Sequence, residues 1–487
     1  MAVKQNIMDT LGTKCGSDDP NILETYSKDE SFVHHIRPRY VVKPRNTDEV
    51  QRIVKWANET QTPLVPMSSG PPHFRGDTVP SVGGAMIVDL SEMKRIIRVD
   101  RRNRVAMIEP GVTYGELIPA LEKEGLAPFM PLSPRKTKSV VASCLEREPV
   151  TMPRYQWDMQ DPLRCVEVIY GSGDLFRTGS AAGPGTIEEQ WEVGRAQVRS
   201  MGPAHIDFAK LIQGAQGTMG IVTWATITCR LLPENKKVFF VTASDVKNLI
   251  DFTYKILWKK IGDECLILNN HNLSCLLATD HESIKRLSKA LAYWTLIFTI
   301  EGYGIIPNER IAYQEAEFLE TAQSFGLEPI EVLKSVRNED ILKTLSSPSE
   351  DPYWKSRYSG GCHDIFFLTI IDKVPEFIRK INELAFAYDY PITQIGVYVQ
   401  PILQGTNCHC EFNLYYIPKD DKEKDKVRKF DIAATRLLAS MGGFFSRPYG
   451  RWINIAYGNS TETVMADRKV KNIFDPNGIM NPGKLCF

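Results

Sequence analysis

Two stretches decide how this chain folds: residues 442–460, GGFFSRPYGRWINIAYGNS, followed by residues 472–487, NIFDPNGIMNPGKLCF. The second runs from Asp475 to Lys484 before the last three residues, and its counterpart lies far upstream at residues 41–76, VVKPRNTDEVQRIVKWANETQTPLVPMSSGPPHFRG. There Asp48, Val50, Ile53, Val54 and Ala57 have helical spacing behind Thr47 as cap. The run TPLVPM that follows has the length and branching of a buried strand. This β-α-β entry delivers a loop in which Gly70 and Gly76 bracket Pro71, Pro72, His73, Phe74 and Arg75. Glycines allow a tight turn that presents backbone N–H groups to a diphosphate, whereas the two prolines remove two such donors.

Three further regions follow in order. Residues 87–125 read as three strands and a helix that opens on the capping-box pair Thr113 and Glu116. Residues 131–146, PLSPRKTKSVVASCLE, form a turn region, and residues 163–179 read as a two-stranded ribbon joined at Gly171-Ser-Gly173. In residues 211–233, Gly214, Gly217 and Gly220 precede an apolar strand. Together with the tail, these segments resemble the flavoproteins of the vanillyl-alcohol oxidase / para-cresol methylhydroxylase superfamily over roughly residues 35–235 and 440–487. The resemblance implies FAD rather than NAD. It also implies an α+β fold: a two-part FAD-binding domain over residues 1–235, a cap over 236–440, and a C-terminal segment, 441–487, that returns to the flavin domain and the active site. Flavin contacts implied by position are Ser68, Ser69, Gly70, Pro71, Pro72, His73, Phe74, Gly76, Ser139, Ser143, Gly214, Gly217, Gly220, Ile221, Val222, Asn481 and Lys484. Some members attach the flavin to a histidine of this loop. His73 stands one residue further from Gly70 than in those members, which weighs against attachment there and leaves attachment from the cap open.

Composition sets outer bounds. A chain of 487 residues exceeds the usual size of a single core, and its 43% hydrophobic and 24% charged residues are those of an ordinary globular protein. With 59 basic and 59 acidic residues the net charge is zero, which argues against a nucleic-acid groove or an anionic membrane surface. The longest apolar stretch, AYWTLIFTI, stops at Glu301 and is too short to span a bilayer. The N-terminus has no signal-peptide core, so a cytoplasmic protein with reduced thiols is expected. The ten cysteines are scattered, with Cys408 and Cys410 the only close pair, a spacing that builds neither a zinc nor an iron–sulfur site. The charged run KDDKEKDKVRK reads as a solvated loop leading into a helix.

From 236 to 440 strands alternate with amphipathic helices, which describes an antiparallel sheet covered by helices. By resemblance this cap lies over the flavin and carries the substrate specificity. The metal-dependent 2-hydroxy-acid dehydrogenases of the superfamily place H-x-x-G-D-G-N-x-H in the cap and G-G-x-x-[ST]-G-E-H-G in the tail. Here Asn407 and His409 are retained, but Ile402, Gly405, Pro448 and Tyr449 stand where ligands are needed, so no metal is expected.

The aryl-alcohol and alkylphenol branch, which has no such metal, is similar in its aromatic-and-arginine tail. The resemblance places Arg447 near the flavin, where a permanent positive charge stabilises the anionic reduced form. Tyr449 is placed to hydrogen-bond or deprotonate a substrate hydroxyl, or simply to pack. Arg451 is placed to bind a carboxylate or phenolate, or to pair with Asp431 or Glu462. In the alternating strand HCEFNLYY, His409 and Glu411 share one face, a pairing that suits a general base or a satisfied buried histidine. His363 lines the pocket or ends a turn. The expected reaction is hydride removal from an aromatic alcohol or alkylphenol to flavin N5, with electrons passed to a separate protein, a quinone or oxygen, in a homodimer. A 2-hydroxy-acid dehydrogenase lacking the metal and a flavin-binding subunit of a larger complex are the alternatives.

Overall fold

The computed structural model describes residues 15–153, 162–203, 206–405, 407–458 and 460–487. Its first sheet contains β1 (Gly16–Ser17), β2 (Tyr40–Val42), β3 (Leu64–Met67) and β4 (Met86–Asp89) in the order β1-β2-β4-β3, with β2, β4 and β3 parallel. Parallel neighbours need a crossover, and the helix Thr47–Thr60 supplies it. Val50, Ile53, Val54 and Ala57 are its buried stripe. Its cap is Asn46 rather than Thr47: the Asn46 side chain accepts from the N–H of Glu49, and Thr47 is already helical.

The second sheet is antiparallel and contains β5 (Ile96–Asp100), β6 (Val105–Ile108), β7 (Leu126–Pro128), β8 (Leu163–Tyr170), β9 (Leu175–Arg177) and β10 (Gly220–Leu231). Its order is β5-β6-β10-β8-β9, with β7 also on β10. The capping box of Thr113 and Glu116 opens the helix Tyr114–Glu122 between β6 and β7, and β8 and β9 form the expected ribbon.

The third sheet contains β11 (Asn235–Ala243), β12 (Cys265–Asn269), β13 (Trp294–Gly302), β14 (Gly361–Thr369), β15 (Ile395–Ile402) and β16 (Asn407–Tyr416). Its order is β11-β13-β12-β15-β16-β14, antiparallel throughout. Side chains alternate across a strand, so Cys408, Cys410, Phe412 and Leu414 of β16 enter the main core beneath the helices Val246–Trp258, Pro307–Ser324, Val374–Ala387 and Asp421–Ser440. His409, Glu411 and Asn413 therefore emerge on the opposite face. The charged run is helix rather than loop from Asp421 onward. Asp420 caps it by accepting from the N–H groups of Lys422 and Glu423, and an Asp425–Lys429 pair at 2.7 Å spans one turn. Among the described residues no helix is long and apolar enough to cross a membrane.

After the helix Thr461–Phe474 the tail runs back to the first two sheets. The Asp475 carboxylate is buried and accepts from Lys471 Nζ at 2.5 Å and from the N–H groups of Ile479 and Met480 at 3.1 and 2.9 Å. Gly171 makes room for it: a Cβ there would lie 2.5 Å from Asp475. Leu64 of β3 then pairs with the tail, its N–H donating to Ile479 at 2.7 Å and its carbonyl accepting from Asn481 at 2.8 Å.

Removing one member of a buried ion pair leaves the other uncompensated and typically costs about 3–5 kcal/mol. Asp475→Ala is therefore expected to lower the thermal unfolding midpoint markedly, followed by flavin fluorescence. An unchanged midpoint contradicts the clamp.

Candidate active site

The first two sheets and the inward face of the third line an open cavity of about 200 Å³. One wall leaves β3 through Ser68 and Ser69. The chain then swings outward: the Gly70 N–H donates to the Thr137 carbonyl at 3.0 Å, and Thr137 Oγ1 donates to the Pro71 carbonyl at 2.9 Å. Pro71 and Pro72 are consequently exposed, and the wall resumes at His73, Phe74 and Arg75. The facing wall is Gly214 to Gly217, continuing into Gly220, Ile221 and Val222 of β10. Gly214 and Gly217 have φ of +75° and +72°, and a Cβ on Gly217 would come within 2.4 Å of Pro66, so this wall stays thin.

Several residues expected to contact the cofactor stand behind this wall and hold it in place. Ser139 caps the helix Val140–Leu145 and donates to the Pro110 carbonyl at 2.5 Å. Ser143 donates to Glu148 at 2.8 Å. Asn481 Nδ2 bridges the two walls, donating to the carbonyls of Asp77 and Gln216 at 3.1 and 2.7 Å. Lys484 Nζ donates to the carbonyls of Gly76 and Val79 at 2.7 and 2.8 Å. Like Gly70, Pro71, Pro72 and Gly76, the residues Ser139, Ser143 and Lys484 support the wall from behind, and Asn481 does so while leaving its Oδ1 unpartnered.

Deeper in, charged side chains from distant parts of the sequence converge. Arg75 pairs with Glu146 at 2.6 Å and Glu148 at 3.1 Å, and Lys138 with the same carboxylates at 2.7 and 3.4 Å. Burial pushes Glu148 upward, but Lys138, Arg75 and Arg447 outweigh it and hold the carboxyl well below its usual range. On the third sheet Lys355 Nζ sits between Asp364 of β14 at 2.6 Å and Glu411 of β16 at 2.5 Å. Burial alone would lower Lys355, yet the two carboxylates raise it well above the ordinary lysine value. Tyr353, Trp354 and Tyr398 complete this end of the wall.

Arg447 and Tyr449 both line the cavity, delivered by a tail segment pinned at two points. Arg147 donates to the Ser446 carbonyl at 2.9 Å and Gln216 to the Pro448 carbonyl at 2.6 Å. The Arg447 guanidinium lies 4.3 Å from the centre of the Phe366 ring, and its Nη2 approaches His409 Nδ1 at 3.4 Å. Among the described residues no carboxylate is within ion-pair distance of Arg447, and its buried Nη1 has no hydrogen-bond partner. Burial and the nearby Arg75 lower its pKa to about 10, which leaves it charged at neutral pH. Arg135, beside His73 and under Phe74, is a second cavity guanidinium with no carboxylate within ion-pair distance among the described residues.

Three residues with more than one expected role are placed as follows. Burial raises the Tyr449 phenol above its usual range, which favours its protonated form. His409 is 2% exposed and lies off the cavity wall. Burial lowers its pKa, and the neutral ring donates Nε2–H to Glu411 at 3.0 Å while Nδ1 faces Arg447. Both nitrogens being engaged, His409 orients Arg447 and is not placed to take a substrate proton. Arg451 Nε lies 3.5 Å from Asp431, and His363 Nε2 lies 3.3 Å from the same carboxylate. These three line a smaller adjoining space of about 70 Å³ beside the main cavity.

The thin glycine wall, the polar lining and the unpartnered buried His73 Nε2 and Asn481 Oδ1 suit a large nucleotide cofactor that brings its own donors and acceptors. A model of an FAD binding domain matches residues 38–179, and a model of the C-terminal domain of FAD linked oxidases matches residues 232–485. The second match spans more than half of the chain, which therefore belongs to the FAD-linked oxidase family. It is an FAD-linked oxidoreductase with FAD as cofactor. The chain is 23% identical to glycolate oxidase subunit GlcD of Bacillus subtilis (strain 168), with 99% of this chain and 96% of that protein aligned. It is 22% identical to the mitochondrial cytochrome-type D-lactate dehydrogenase of Arabidopsis thaliana, over 92% of this chain and 74% of that protein. Among solved structures, p-cresol methylhydroxylase with substrate bound superposes with a TM-score of 0.83 at 18% identity, covering 99% of this chain and 96% of that one. The 4-ethylphenol oxidase from Gulosibacter chungangensis gives 0.82 at 18% identity, with 98% and 95% covered. These likenesses establish the two-domain p-cresol methylhydroxylase-type fold.

Burial lowers the pKa of His73 to about 3, with Arg135 and Lys138 adding to the effect. A base depressed below its unfolded value near 6.5 contributes stability above that pH and loses it as the pH falls toward the folded value. His73→Phe should thus gain on the parent by up to about 1.4 kcal/mol for each pH unit below 6.5. Thermal scans of the holoprotein from pH 7 to 4 check this, and parallel curves contradict it.

Proposed function

We propose that this flavoprotein removes hydride from the hydroxyl-bearing or benzylic carbon of a small aromatic alcohol or alkylphenol. The carrying observation is Arg447: a buried cation that, like Arg135, has no carboxylate partner among the described residues, and that lines a cavity walled by Phe74, Tyr353, Trp354, Tyr398 and Tyr449. Arg75, Lys138 and Lys355 are each neutralised by protein carboxylates. The charge of Arg447 remains available for a phenolate, and aromatic walls bury a ring without unsatisfied polar groups.

FAD, when bound, accepts the hydride. The remaining work belongs to the chain. Arg447 holds the acidic oxygen of the substrate and offsets negative charge that develops on hydride transfer, a role of the kind worth about 3 kcal/mol. Tyr449 donates a hydrogen bond beside it. The His409–Glu411 pair fixes the direction of the guanidinium, since Nε2–H is committed to the carboxylate and Nδ1 is left to accept. A phenolate held in this way pushes electron density toward its para position, which makes benzylic hydride loss feasible.

The sequence relatives favour a second reading. Glycolate oxidase and D-lactate dehydrogenase align over nearly the whole chain, and Arg447 would suit a 2-hydroxy-acid carboxylate equally in charge. The aromatic lining supports the first. A separate electron acceptor and a homodimer belong to the same proposal and rest on the resemblance alone.

Anaerobic stopped-flow bleaching of the flavin against 4-alkylphenols and aryl alcohols, and in parallel against D- and L-2-hydroxy acids, separates the two. Fast bleaching by the aromatic panel is expected. Bleaching by hydroxy acids alone would replace this reading with the second.

A further inference from the structure

The Lys355 ammonium occupies a seat built for a cation. Asp364 and Glu411 stand on the adjacent antiparallel strands β14 and β16, and Lys355 Nζ lies between them at 2.6 and 2.5 Å. Asn413 reinforces the same seat by donating Nδ2 to Asp364 Oδ1 and Glu411 Oε1, each at 2.6 Å. His409 donates to the other Glu411 oxygen at 3.0 Å. An ammonium carries three N–H donors; among the described residues the two carboxylates take two, and Nζ also stands 5.4 Å from the centre of the Trp354 ring. Lys355, Asp364 and Glu411 all line the main cavity.

Two formal negative charges against one positive make this cluster net negative, so it repels an anion. It welcomes a neutral oxygen that accepts from the remaining N–H. Arg447, reached from the same network through Glu411 and His409, has the opposite character: a free positive charge that selects an acidic oxygen. The cavity therefore offers two unlike oxygen sites joined by one hydrogen-bond chain.

We propose that Lys355 is a substrate-binding residue that donates to the neutral alcohol oxygen on the reacting carbon, while Arg447 holds the acidic end. The inference rests on the reading of Arg447 given above and adds a specificity: a phenol carrying a para hydroxymethyl group is preferred to one carrying a bare para methyl group. No proton or electron moves through Lys355 in this role. It positions one oxygen.

The experiment compares 4-hydroxybenzyl alcohol with 4-methylphenol on the FAD-loaded protein, reading the apparent Kd and the limiting rate of flavin bleaching separately. The parent is expected to bind the alcohol at least about tenfold more tightly, the usual size of a hydrogen bond from a charged donor. Lys355→Met should lose about tenfold more on the alcohol than on 4-methylphenol, so that the preference collapses. Because the single change leaves two carboxylates facing each other, the pair Lys355→Met with Asp364→Asn is run beside it to retain folding. A preference that survives in an FAD-loaded variant, or an equal loss on both compounds, overturns the assignment and makes Lys355 a structural ion pair. A parent that responds to both phenols without preference overturns it too, while leaving the Arg447 reading intact. A parent that responds to neither removes both.

Discussion

A buried carboxylate at the end of the chain ties the fold to the site. Asp475 is held by Lys471 and by two backbone N–H groups, and it seats on Gly171 where only hydrogen fits. That contact brings Asn481 and Lys484 against the backbones of residues 76–79 and 216, the two loops that face each other across the cavity. A loop is held only as well as its backbone groups are satisfied, and here the donors come from the last few residues of the sequence. The distance between the walls is thus set by the tail. The same returning segment carries Arg447 and Tyr449 to the inner end, pinned by Arg147 and Gln216.

Around this frame the interior is charged to a degree that would be ruinous without pairing. Four carboxylates and three cations neutralise one another in two groups: Arg75 and Lys138 with Glu146 and Glu148, and Lys355 with Asp364 and Glu411. Arg447 stands between them, near enough to Arg75 for its pKa to fall and near enough to Glu148 to lower that carboxyl further. A guanidinium in this position is poorly compensated in the free protein, and an acidic ligand supplies what it lacks. Its neutral neighbour His409 fixes its direction without cancelling its charge.

Much of the scaffold was legible because it is written locally. The capping box of Thr113 and Glu116, the alternation of β16 and the glycines before β10 are read over a few residues, and each occurs as expected. Asn46 and Thr47 are both competent caps, so the sequence does not choose between them, whereas the extended backbone at Asn46 does. The acidic start of the run at 419–429 is a helix N-terminus as much as a loop, and the Asp420 cap decides it. Arg447 and Tyr449 were legible from the tail, but their protonation was not, because it depends on burial. Lys355, Asp364, Glu146 and Glu148 belong to no motif. Lys355 and Glu411 are 56 positions apart, and Arg75 and Glu146 are 71 apart. One signal was available: His409, Glu411 and Asn413 make a polar stripe in an otherwise apolar strand, which marks a sheet face turned to something other than core. Arg451 shows a cation whose expected roles, anion binding and pairing with a carboxylate, look alike in sequence; its Nε stands 3.5 Å from Asp431.

The central claim is that the uncompensated charge of Arg447 drives the chemistry. The direct measurement is the anaerobic flavin-reduction rate of Arg447→Ala against the parent, with FAD content and saturating substrate matched. A fall of roughly a hundredfold with FAD retained is the predicted result, the usual effect of removing one electrostatic contact to a developing charge. An unchanged rate would place the anion-binding function elsewhere in the cavity and contradict the account.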